Sequence, residues 1–563
     1  MKILRSFLII ASLSSIYIFI TYINIFSNDM FFVQNEITVF LSDRLQKFIF
    51  EVKESSKNYY LIESYDVREI DLSLKIDFEN ETVYGSERIL INKKNNVNKI
   101  AFNCGKNIKI NNISINNKPC SKYFHKNKFL IFYFDDWLTS QDVLEFQIDY
   151  SFKCRFTNYI GFILNKESKH FYTLSEPNFA SFWYICKEDP ADKFLAQVDL
   201  IIPSFLLGVS NGKLIESTYI NENAIKYRYK SNYPISYYLL FVAGGDYKIY
   251  EKEIVTELGN KIYSQNLFFP EHFENGKESL VISDRIFNLF EKVVAKYPFQ
   301  DELYGIVEVL WPYGGMEHQT RSAISSLAFE SIYPKFDLLA HELAHQWFGN
   351  SVTLKNWKDI WLNEGFASFF EEFLLSGAKF PEEIILNDSY YFYGKVVDSE
   401  RFLFSRTSYD KGAWILKMLW NYLEEDKFWK IIKTYYENYK YSNASTEDFI
   451  KVCNEVSGQN LGWFFDQWIF NEIERPVYEV SFSSDIKGKN YICKVKIKQI
   501  QPRYVFKNEL DILLYFENKN KKMKIVNNSR EQILFFESSV PLTKVDIDPQ
   551  SKILKKVVYK NIE

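Results

Sequence analysis

His341-Glu342-Leu343-Ala344-His345 is the stretch from which the rest of the chain is read. Leu338, Leu339, Leu343 and Phe348 recur around it at helical apolar spacing, between Pro334 and Gly349, and predict a helix of about three or four turns. On a helix, positions i and i+4 share a face, so both imidazoles can converge on one ion. Neutral imidazole nitrogens bind zinc at about 2.0–2.1 Å, and a hydrolytic site keeps three protein ligands plus one open position. Glu342, next to the first histidine, can lean over that position and draw a proton from water there. Two helical histidines are more often plain surface or core residues. With 6 His and 72 acids in 563 residues, a His-acid-x-x-His arises by chance on the order of once in a hundred such chains.

A third donor decides between these readings. Residues 349–355 break the helix, and 359–369 begin a second amphipathic run. Eighteen residues separate His345 from Glu364, which falls on that second run. Two helices joined by a turn can bring a carboxylate beside two imidazoles, a His2Glu set suited to zinc.

The motif, the eighteen-residue gap and Trp361-Leu362-Asn363-Glu364-Gly365-Phe366-Ala367 together resemble the aminopeptidase N family of zinc metallopeptidases, the gluzincins. The resemblance runs from about residue 65 to 550, with its specific motifs between 311 and 412. It implies one zinc per chain held by His341, His345 and Glu364, with Glu342 as general base. Tyr409, in Tyr409-Asp410-Lys411-Gly412, matches the family's oxyanion-stabilising tyrosine; without that match it reads as a half-buried packing residue. Glu176, in Ser175-Glu176-Pro177, reads on its own as an acid entering a turn. The resemblance makes it an anchor for the substrate's α-amine. Gly314-Gly315-Met316-Glu317 reads on its own as a turn, and its two glycines also permit close backbone approach of an added peptide strand. By resemblance it is the exopeptidase segment, with Glu317 as the second amine anchor. Leu174, Ser181, Ile185 and His318 depart from the family's usual Gln, Arg, Pro and Asn.

Composition bounds the rest. At 563 residues the length prior is roughly three or four domains. Apolar content of 47% with 25% charged residues describes a globular chain. A net charge of −4 gives no case for nucleic acid as a partner. The aromatic share of 18% is spread evenly, as a compositional habit and not a sugar-binding face. Six scattered cysteines show no metal-knuckle spacing, although a pair such as Cys104–Cys120 is possible. Lys2 and Arg5 precede an uncharged apolar run over 6–26, long enough to span about 30 Å as a helix. No small-x-small cleavage site follows, so an uncleaved anchor is expected in preference to a removed signal, with the remainder outside the cytoplasm.

The expected organisation is α+β and multidomain. It comprises a membrane anchor over 1–28, a stalk over 29–60 and an N-terminal antiparallel β saddle over 61–250. A thermolysin-like, mainly helical catalytic domain follows over 251–475, and a small C-terminal β-sandwich over 476–563. Alternation at Leu72, Leu74, Ile76 and Phe78, a helix over 279–296, a strand over 303–309 and a helix start at Thr446 support these assignments. The expected activity is removal of the first residue from peptides with a free N-terminus. The alternatives are an endopeptidase on the same scaffold and a non-catalytic, membrane-anchored peptide-binding module.

Overall fold

In the computed structural model the described residues are 59–126, 128–154, 160–330, 335–376, 395–397, 403–472, 475–517 and 519–560. Alternation builds the first layer. In the strand Tyr65–Asp77, Leu72, Leu74 and Ile76 are buried while Ser73 and Lys75 face outward. Period-two patterning covers one face of a sheet and wets the other. A nine-stranded sheet results, its path running Lys213–Asn221, Ala224–Lys230, Lys193–Pro203, Tyr65–Asp77, Thr82–Lys93, Val143–Lys153, Lys109–Ile115 and Lys118–Pro119, with Ile235–Ser236 pairing Lys193–Pro203 off that path. Its neighbours are antiparallel except for one pair: Tyr65–Asp77 runs parallel to Lys193–Pro203, with Glu69 opposite Leu195. A four-stranded sheet containing His170–Leu174 shares the same core through Phe171 and Tyr172.

The second layer is a five-stranded sheet ordered Lys248–Val255, Lys261–Phe268, Gly305–Val309, Arg321–Ser325 and, at its edge, Gly315–Met316. Helices pack on it around one aromatic-rich core. In Val281–Val293, Ile282, Ile286, Phe287 and Phe290 turn inward at helical spacing. The core of the β layer reaches into this region through Val307, Met316, Leu354 and Trp357. That shared apolar contact seats the β layer against the edge strand, the place where the site forms. At the C-terminal end a four-stranded and a three-stranded sheet enclose one core of Tyr478, Val480, Val495, Ile512, Leu514 and Val545. This is the expected sandwich.

Several expectations are refined. The histidine helix is Phe336–Ala344, about two and a half turns. Past it, Gln346 N–H donates to Leu343 O and Trp347 N–H to Ala344 O at 3.1 Å each, a tighter winding than the α-helix. The start expected at Thr446 is capped one residue earlier, by Ser445 in a capping box with Asp448. All six cysteines are free thiols, so Cys104 and Cys120 are not bridged. The membrane assignment is corrected. No helix among the described residues is long and apolar enough to cross a membrane, and the run 6–26 and residues 29–58 of the expected stalk lie outside them. The single-pass, extracytoplasmic placement and the membrane as a partner are therefore not retained.

Candidate active site

The histidine helix and the helix Trp361–Ser376 bring three donors together. His341 Nε2 lies 3.2 Å and His345 Nε2 3.3 Å from Glu364 Oε2, and the two Nε2 atoms are 3.1 Å apart. Donors placed about 2.0–2.1 Å from a tetrahedral zinc are separated by roughly 3.3–3.4 Å, so this triangle has the size of a His2Glu zinc site. The ring nitrogens facing away are also engaged. Glu371 Oε2 sits 3.1 Å from His341 Nδ1, and Phe348 O sits 3.1 Å from His345 Nδ1. With Nδ1 donating to those oxygens, Nε2 carries the free lone pair that a metal needs.

The electrostatics favour positive charge in the triangle. Burial would raise the Glu364 carboxyl, but His345 and His341 together outweigh it and hold it down at about 2. Burial opposes protonation of His341, yet Glu364 and Glu371 push its imidazole well above the ordinary range.

Glu342 lies on the same helix, buried, with its carboxyl pushed up to about 8 by burial first and then by Glu317 and Glu364. Its position depends on Gly315. A Cβ on Gly315 would fall 2.6 Å from Glu342 Oε1, so only the bare backbone leaves that carboxylate its place. Gly314 has φ +45 and its carbonyl accepts from Ser325 N–H at 3.0 Å. Gly315 and Met316 pair with Ile324 and Ala323, which leaves their other side as the open edge of the five-stranded sheet.

Tyr409 lies in a π-helical turn, Thr407–Lys411, a geometry often found at functional sites. Its ring stacks on His341 with centroids 5.7 Å apart. Burial first, then Glu364, Glu176, Glu317 and Glu342, push its hydroxyl well above the usual range, so it stays protonated. Two glycines permit this approach: a Cβ on Gly412 would meet Gly365 Cα at 2.8 Å. Nothing larger fits between the Glu364 helix and the turn that carries Tyr409.

Glu176 comes from the β layer, in the loop after His170–Leu174. Trp183 Nε1–H donates to Ser175 Oγ at 2.9 Å and the Tyr237 hydroxyl to Pro177 O, which hold that loop. Burial and then Glu317, Glu364 and Glu342 push the Glu176 carboxyl well above its range. Burial first, with Glu364 adding, also raises the Glu317 carboxyl, against the pull of His345 and His341. Glu176 Oε1 and Glu317 Oε1 are both buried without a protein hydrogen-bond partner. All ten residues singled out in the sequence therefore gather around one centre. Glu317, Glu342 and His345 form a second close group that shares His345 with the triangle.

Sequence reasoning missed Glu371, Gln346 and Asn350. Glu371 was findable, since it lies seven residues past Glu364, on the same helical face. Gln346 and Asn350 carry no such signal, because what they hold, Glu317, is distant in the chain.

Comparison with known proteins bears on the family and the fold. The peptidase M1 N-terminal domain matches residues 57–239 and the peptidase family M1 domain residues 279–468. Glutamyl aminopeptidase of Mus musculus is 28% identical over 358 residues, covering 58% of this chain and 37% of that protein. Leucyl aminopeptidase of Saccharolobus solfataricus is 27% identical over 395 residues, covering 64% of this chain and 48% of that protein. The chain thus spans less than half the length of these relatives. The crystal structure of Legionella pneumophila aminopeptidase A in complex with aspartic acid shares the fold at a TM-score of 0.77 and 16% identity, over 89% of this chain and 60% of that one. The two matched domains and the shared fold agree: the chain belongs to peptidase family M1.

Proposed function

We propose that the chain is a zinc-dependent aminopeptidase acting on peptides with a free N-terminus. The observation that carries this reading is the pair of partnerless buried carboxylate oxygens, Glu176 Oε1 and Glu317 Oε1, beside a three-donor triangle of zinc size. Buried carboxylates that push each other's affinity for protons upward are stabilised by an incoming cation. A peptide's α-ammonium is such a cation, and its charge-assisted hydrogen bonds fix the substrate's first residue. An internal peptide segment brings no cation to that place. The names of the matched relatives point the same way.

In this reading His341, His345 and Glu364 hold zinc, which supplies Lewis-acid polarisation of the carbonyl and acidifies water. Glu342 accepts the proton of the attacking water and returns it to the leaving amine. The Tyr409 hydroxyl donates to the developing oxyanion. Glu176 and Glu317 grip the amine, while Gly314, Gly315 and Met316 offer the open strand edge to the substrate backbone. Holding the amine at a set distance from the triangle selects the first peptide bond.

The test is hydrolysis of free and N-acetylated glutamyl- and leucyl-anilides, with and without a zinc chelator. Release from free substrates alone, abolished by the chelator, is expected. Glu342→Gln should retain zinc and lose several orders of magnitude in turnover. Equal cleavage of acetylated substrates would reject the exopeptidase assignment.

A further inference from the structure

We infer that Asn350 is a positioning residue that sets the distance between the metal triangle and the amine-facing acids, an inference that rests on the aminopeptidase reading. Asn350 is fully buried just past the histidine helix and joins three parts of the molecule. Its N–H donates to His345 O at 2.9 Å, tying it to a metal donor's own backbone. Its Nδ2 donates to Glu317 O at 2.6 Å. Its carbonyl accepts from Lys193 Nζ at 2.7 Å, from the strand Lys193–Pro203 of the nine-stranded sheet, and that layer also supplies Glu176. One residue therefore joins three parts: its backbone N–H and carbonyl fix it to the histidine helix and the β layer, and from that fixed place its side-chain amide holds the Glu317 carbonyl.

Gln346 works alongside it. Its Nε2 donates to Glu317 O at 3.2 Å and His318 O at 3.3 Å, while its Oε1 accepts from Thr320 N–H at 2.9 Å. The segment held in this way does not rest in a relaxed state. Thr320 has φ +65, a left-handed conformation that a β-branched residue adopts only when its surroundings impose it. Gly212 N–H adds a further restraint, donating to Thr320 Oγ1 at 3.0 Å. Without the amide donors the segment that carries Glu317, just past the strand Gly315–Met316, relaxes away from the histidine helix, and the amine-to-metal spacing is lost while the triangle stays.

The experiment uses the zinc-loaded full chain and its Asn350→Ala variant. Calorimetry measures binding of leucinamide and N-acetyl-leucinamide, turnover of leucyl-anilide is followed in parallel, and zinc content is assayed. Loss of one hydrogen bond to a pinned carbonyl should weaken leucinamide binding and raise KM by about tenfold. Binding of the acetylated amide, zinc content and, to within about threefold, kcat should be unchanged. Gln346→Met, which removes the second donor to the same carbonyl with little change in shape, should shift the same ratio and decides the matter if Asn350→Ala does not fold. Equal loss for free and acetylated amides, or leucinamide binding like the parent's, overturns the inference. If the parent binds leucinamide but releases no anilide, the aminopeptidase reading fails, while the binding ratio still judges Asn350.

Discussion

Gly315 separates two functions that most active-site residues combine. The atoms its Cβ would meet are the far end of the Glu342 side chain, at 2.6 to 2.7 Å, and not backbone. A flexible carboxylate can swing aside at little cost to the fold, but a general base moved by about 1 Å loses on the order of a hundredfold in rate. Gly315→Ala is therefore expected to melt within a few degrees of the parent and to lose about 100-fold in kcat. Thermal scans beside anilide kinetics decide it, and a parent-like kcat would mean that Glu342 is not the base. Glu371 acts on a different quantity. Its carboxylate, 3.1 Å from His341 Nδ1, orients a donor without being one. Glu371→Gln should lower zinc affinity by about 10- to 100-fold in a chelator competition titration. An unchanged affinity would leave Glu371 a mere neighbour.

Elements were legible to different depths. The histidine helix could be read because its evidence is local: two donors four residues apart and a third on the next helix. The strands over 65–93 could be read because burial alternates at Leu72, Leu74 and Ile76. The parallel pairing of Tyr65–Asp77 with Lys193–Pro203 was not legible, since no periodicity reports which strand adds to an edge more than a hundred residues later. The electrostatic influence of Glu317 on Glu176 was equally hidden from residue patterning, and their pairing came only through resemblance. The close passage of Gly365 and Gly412 gives a test at this scale. A Cβ on Gly412 would stand 2.8 Å from the Gly365 Cα, backbone that cannot rotate away. Gly412→Ala should force the two segments apart at a cost of about 1–3 kcal/mol, seen as a lowered melting temperature. It should also reduce turnover by moving Tyr409. An unshifted melting curve would contradict the packing.

At the scale of the whole molecule, the proposed site exists only while the β layer stays seated on the helical one, because Glu176 and Lys193 come from the first and the donor triangle from the second. Glu302 is one of the joints between them. Its Oε1 accepts from Ser231 Oγ at 3.2 Å and from Asn232 N–H at 2.5 Å, both in the β layer, while Oε2 is buried without a partner. Burial pushes this carboxyl up to about 7, from an ordinary value of 4.5. A raised carboxyl binds its proton more tightly folded than unfolded. Its contribution to stability is then fully present below about pH 4.5 and is lost as pH rises through about 7. Glu302→Gln keeps the accepting oxygen and removes the titration. The variant should melt above the parent at pH 8, by up to about 3 kcal/mol in stability, and the advantage should shrink steadily toward pH 5. Thermal melts of both proteins across that range, at fixed zinc, make the comparison. A difference independent of pH would show that Glu302 does not carry a proton at this joint, and would move the explanation to shape.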